Sequence, residues 1–112
     1  MENELNIIRG NLKEYDNAKM SYNYCVSKIM EYKKNKEFYI GATHEPVERL
    51  NTHYNEKGIK NMYLLCKVPT RSKTIKLEQK LIDTFNTKKS LNQGGGGEGI
   101  RDDINYIYLL LR

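Results

Sequence analysis

Only two cysteines, Cys25 and Cys66, occur in the 112 residues. Neither has a close Cys or His partner, so the chain carries no zinc signature. Each lies in an apolar, strand-like run, which predicts buried free thiols in a reducing compartment. Long apolar runs are missing as well. No stretch approaches a membrane span, and the N-terminal MENELNIIRGNLKEYDN is too charged for a signal peptide. A soluble, intracellular protein is the expectation. Internal repeats are absent, and no Ser–His or Cys–His pair suggests a covalent nucleophile. A chain of this length has room for one domain with a modest core, over residues 1–112, and none for a separate sequence-reading module.

What is present is basic. Nineteen Lys and Arg against fourteen Asp and Glu give a formal charge of +5, with a sequence pI near 9.1. Such a balance favours encounter with polyanions and raises nucleic acid modestly above other partners.

The chain is organised around FYIGATHEPVERLNTHYNE, residues 38–56. Phe38-Tyr39-Ile40-Gly41 predicts a short strand whose glycine lets the chain turn out of the sheet. Thr43 then serves as a helix cap, Pro46 suits the first turn, and Val47, Leu50 and Tyr54 form an apolar stripe ended by Gly58. Arg49 and His53, four residues apart, project from one side of that helix, about 100° from the stripe. With Tyr39 they could converge on a volume suited to a phosphate. The plainer alternative is a surface helix with a solvated Arg and His.

Residues 1–22 carry Leu5, Ile8, Leu12 and Tyr15 at helical spacing and predict a covering helix. Residues 24–31 read as a strand, joined through the charged turn 33–36 to the strand at 37–41 in an antiparallel hairpin. Residues 62–68 predict a third strand stopped by Pro69, and a helix runs from about Ser72 to Phe85, with Ser72 or Thr74 near its start. The run at 94–99 is a glycine loop, and the apolar tail fits either strand or helix. Together these give one α/β domain: a small antiparallel or mixed sheet of at least three strands, flanked by helices. Val26, Ile29, Phe38, Ile40, Leu50, Leu64, Leu65, Leu81, Ile82 and Phe85 are expected to meet in one core.

One residue breaks the pattern. Ile75, Leu81, Ile82 and Phe85 define the apolar face of the second helix, and the 3.6-residue period puts Glu78 in its middle. A carboxylate held there needs a cation or good donors. It is either half of a buried salt bridge, with Arg49 the candidate partner, or a ligand for a hard divalent ion such as Mg²⁺. Asn92, before the glycines, either fixes its loop through an Asx-type turn or donates to a phosphate or a bound water.

Taken in order, Tyr39-Ile40-Gly41, Arg49, His53, Glu78 and Asn92 resemble the GIY-YIG nuclease superfamily over residues 24–95, leaving 1–22 as a helical extension. Cys25-Val26-Ser27-Lys28-Ile29 sits where that family usually has a GlyIleTyr-type strand. Ser27 then stands at the position of the family's first tyrosine, with Tyr24 nearby. The resemblance implies a metal-dependent endonuclease that leaves a 5′-phosphate. Glu78 would hold one divalent ion, Mg²⁺ or Mn²⁺, and Arg49 would contact the scissile phosphate. Tyr39 and His53 would position or deprotonate the attacking water, and Asn92 would support the site. The implied partner is nucleic acid, DNA ahead of RNA, with a homodimer or a protein partner as the source of specificity. Two other readings stand beside it: a catalytically degenerate domain that binds nucleic acid or a partner, which the serine at the first motif favours, and an interaction protein with no nucleic-acid role.

Overall fold

The computed structural model describes residues 5–92 and 99–112. Two short strands come first, β1 (Asn6–Ile8) and β2 (Lys13–Glu14), where a covering helix was expected. Both pair in parallel with a later strand, a non-local partnership that a pattern of four spaced apolar residues does not reveal.

Asn17 then starts helix α1 (Ala18–Lys33), its side chain accepting a hydrogen bond from Met20 N at 2.9 Å. The expected strand at 24–31 therefore does not exist, and neither does the hairpin. A short apolar run fits both templates. The cap and the four-residue spacing of the buried Ser21, Cys25 and Ile29 decide for helix. Cys25 and Cys66 are free and buried, as expected.

From β3 (Phe38–Thr43) onwards the order of elements is the expected one, with β3 running two residues past Gly41. Helix α2 (Pro46–Lys57) has Pro in its first turn and ends at Gly58, whose φ of 73° is left-handed. Strand β4 (Asn61–Val68) follows. Helix α3 (Arg71–Thr84) is capped by Thr70, whose side chain accepts from Lys73 N. The apolar tail is strand β5 (Asn105–Leu111).

The strands form one mixed five-stranded sheet ordered β1-β4-β5-β3, with β2 also on β4. The last strand of the chain is thus a central one, antiparallel to β3 and to β4. Alternation along β5 divides the core into two layers rather than one. Ile107 and Leu109 pack with Cys25, Ile29, Phe38, Ile40 and Leu81, under α1 and α3. Tyr108 and Leu110 pack with Leu50, Met62 and Leu64, under α2. A register shift in β4 between Leu64 and Cys66 moves its side chains from one layer to the other. Val26 and Ile82 only line the first layer.

Candidate active site

Strand β3 has β5 on one side, and its other edge is closed by the chain after α3. Leu91 N donates to Phe38 O at 2.7 Å. Asn92 then uses both ends of its amide on Ile40: Oδ1 accepts from Ile40 N at 3.0 Å and Nδ2 donates to Ile40 O at 2.7 Å. Asn92 is therefore neither a simple Asx turn nor a group turned towards a ligand. It substitutes for a neighbouring strand and holds the β3 edge in place.

One step further along that edge the Ala42 backbone N–H bonds the carboxylate of Glu78. Glu78 is 6 % exposed, buried as the helical period predicts. The residues buried with it on α3 are Thr74, Leu77 and Leu81, whereas Ile75 is 38 % exposed and does not define the apolar face. Burial pushes the carboxyl up to about 7, against the opposing pull of the Ala42 N–H and the Arg49 charge. Arg49 is thus close enough for its charge to act on the carboxylate.

On the other side of the sheet, α2 brings up Arg49 and His53. The buried residues of α2 are Leu50 and His53, while Val47 is 58 % exposed. His53 thus sits within the buried face rather than about 100° from it. Its Nε2 is 3.1 Å from Tyr108 Oη, its ring lies 4.7 Å from that of Tyr39, and its Nδ1 is buried with no hydrogen-bond partner among the described residues. Burial, with Lys57 and Arg49 nearby, lowers its pKa to about 4, so the ring is neutral at physiological pH.

Tyr108 was not singled out from the sequence. It lies opposite Gly41 in the β3–β5 register, and a Cβ on Gly41 would come within 2.5 Å of its Cζ and Oη. Gly41 is therefore a space left for a phenol, not the pivot of a turn, and β3 continues past it to Thr43. Thr43 does not cap α2 through its helix but accepts from Glu45 N at 3.0 Å. Tyr39 stacks beside Tyr108 at 6.3 Å between centroids. Burial raises the Tyr108 hydroxyl well above its usual value.

Arg49 lines a pocket of about 140 Å³ with Thr43, Glu48, Gly99 and Arg101. Gly99, at φ 83°, passes so close that a Cβ there would lie 2.7 Å from Arg49 Nη2. Arg101 is a second guanidinium at this pocket that the sequence did not announce. The structure brings Tyr39, Arg49, His53, Glu78 and Asn92 to one edge of the sheet. Ser27 does not join them: it lies on α1, exposed. The glycines at 94–97 lie outside the described residues.

The arrangement holds a desolvated carboxylate, a guanidinium pocket and a hydrogen-bonded phenol–imidazole pair around one strand end. A hard divalent cation fits it. Glu78 is a carboxylate whose burial disfavours its charge, and such ions take one or two carboxylates and complete their shell with water and phosphate oxygens. Among the described residues no group of three or more His, Cys, Asp or Glu side chains could enclose a metal alone, and no helix is long and apolar enough to cross a membrane.

Comparison with known families matches the GIY-YIG catalytic domain to residues 28–92. No curated protein and no solved structure matches the chain.

Proposed function

The chain belongs to the GIY-YIG family, whose members are generally endonucleases that act on nucleic acid with divalent metal ions, and on that premise we propose that it is itself an active, Mg²⁺- or Mn²⁺-dependent endonuclease. The observation that carries the proposal is Glu78, a carboxylate buried beside β3 whose desolvation pushes it up to about 7 even with the Arg49 charge nearby.

Hydrolysing a phosphodiester asks for a barrier reduction of order 20 kcal/mol. Glu78 would hold the ion, which when bound supplies positive charge to the phosphate and the leaving oxygen. Arg49, with Arg101 beside it, faces the charge that grows on the non-bridging oxygens. At neutral pH His53 Nε2 can accept a hydrogen bond from the Tyr108 hydroxyl, which leaves a lone pair on the phenol oxygen to accept one from a water. Tyr108 and Tyr39 thereby orient the attacking water, and His53 fixes Tyr108. With the 3′ oxygen as leaving group, as the family resemblance implies, the product carries a 5′-phosphate.

Tyr108 also bears on the degenerate reading, which rested on Ser27. The strand beside Tyr39-Ile40-Gly41 carries Ile107-Tyr108 and comes from the end of the chain rather than from before β3. We assign the first-motif tyrosine to Tyr108, in a permuted strand order. The 28–92 match stops short of it.

The test is incubation with supercoiled plasmid and with branched DNA and RNA oligonucleotides in Mg²⁺, Mn²⁺ or EDTA. Cleavage should need the ion and disappear in Glu78→Gln while binding persists. Wild type that binds but never cuts, or a Glu78→Gln variant that cuts as well as wild type, overturns the proposal.

A further inference from the structure

Away from the site, a groove of about 280 Å³ separates the start of α1 from α3. Tyr15, Tyr22 and Leu77 form its floor, and Lys73, Lys76 and Lys80 its rim. Among the described residues no carboxylate lines it. The three lysines are exposed and follow at i, i+3 and i+7, so they stand on one flank of α3 over about 10 Å. Glu78 leaves the helix from the opposite flank, about 200° from Lys80 by the same period. The groove is therefore distinct from the site.

Its chemistry is specific. Lys73 Nζ stands 5.4 Å from the Tyr15 ring centroid and Lys80 Nζ 4.2 Å from that of Tyr22, so each ammonium rests on an aromatic face. Such contacts are weak where water reaches them. A flat base sliding onto either ring would free its lysine to meet the adjoining phosphate. A groove this size admits a base and its sugar but not a helix about 10 Å wide. Aromatic floors edged by cations are what unpaired nucleotides bind, since every base has a π-face and every linkage a charge.

We propose that the α1–α3 groove binds an unpaired nucleic-acid strand, so that a substrate with a single-stranded segment is held here in preference to a plain duplex. This deepens the nuclease reading and rests on it only for the word substrate. Binding is measured in EDTA, where no cleavage occurs, so its outcome is separate from that of the cleavage test. Fluorescence anisotropy with a 12-nucleotide oligothymidylate and with a duplex of equal length compares wild type, K73A/K76A/K80A and Tyr22→Leu. The triple variant should fold unchanged, bind the single strand at least about tenfold more weakly, and lose about 2 from the slope of log affinity against log salt. Tyr22→Leu should weaken the single strand about tenfold and leave the duplex within about twofold. Unchanged single-strand affinity in the triple variant, equal loss for the duplex, or displacement of the oligonucleotide by polyglutamate at equal charge overturns the proposal.

Discussion

Replacing Glu78 by Gln should make the metal-free protein more stable, by an amount that grows with pH. The folded carboxyl titrates at about 7 instead of 4.5 because it is buried. Between those values the folded chain holds a proton that the unfolded chain has released. Stability is therefore lost as pH rises from 4.5 to 7, and above 7 the full cost of the buried charge is present. At 1.36 kcal/mol per pH unit this comes to about 3 kcal/mol. His53 acts in the opposite sense over nearly the same window, its pKa lowered from 6.5 to about 4: its contribution is present above 6.5 and lost as pH falls towards 4. The wild-type curve alone will hence look flat, and the difference between Glu78→Gln and wild type isolates the carboxylate. Urea unfolding in EDTA, followed by far-UV circular dichroism at intervals from pH 4.5 to 8, measures it. The gap should open by about 3 kcal/mol across that range. Mg²⁺ at pH 8 should then close it by stabilising wild type alone, by about 2.7 kcal/mol at a hundred times the dissociation constant. A variant less stable than wild type at pH 8 would mean that the carboxylate already has a cationic partner, and the case for a metal at Glu78 would fail.

The other predictions use the same geometry. Tyr108→Phe keeps the ring over Gly41 and removes the hydroxyl, so cleavage should fall about 10²- to 10⁴-fold with substrate affinity and melting temperature nearly unchanged; a variant of full activity would remove Tyr108 from the mechanism. Gly41→Ala should cost about 1–3 kcal/mol, because the new Cβ meets Tyr108 Cζ and Oη at 2.5 Å. Denaturant titration of G41A, Y108A and the double variant should show the Gly41→Ala penalty shrinking once the ring is gone. Asn92→Ala removes both hydrogen bonds to Ile40 and should destabilise by about 1–3 kcal/mol, with hydrogen exchange at Ile40 N–H accelerating more than at β5 amides. Arg49→Lys keeps the charge but loses the planar fork; single-turnover cleavage should drop about 10²-fold or more while oligonucleotide binding in EDTA changes little.

What could be read from the sequence was what nearest neighbours along the chain decide. Pro46, Gly58 and Pro69 punctuate β3, α2 and β4, and each acts within a turn of its own position, so those elements lie close to where the spacing put them. Glu78 was legible for the same reason: a carboxylate among apolar residues at helical spacing is a local contradiction, and burial is its structural form. The misreadings are all questions of which distant segment lies alongside. Residues 5–15 look helical because their strands take their partner from β4, some fifty residues on. His53 looks solvent-facing in the sequence because the apolar stripe includes Val47, which the fold leaves exposed while it buries Leu50 and His53.

Gly41 shows how local and distant information meet. From sequence a glycine inside a strand signals a turn or a close approach, without saying which. In the fold it is the second, and the approaching group is the phenol of Tyr108, which the chain order hides. The family resemblance points upstream of β3 for this tyrosine, where Ser27 stands. Pairing in a sheet depends on adjacency and not on order, so a strand at the end of the chain can occupy the same place beside β3. The space at Gly41 fits the ring that fills it. A missing motif residue is therefore evidence of lost chemistry only after the strand that pairs beside its partner motif has been identified, and here that strand is β5.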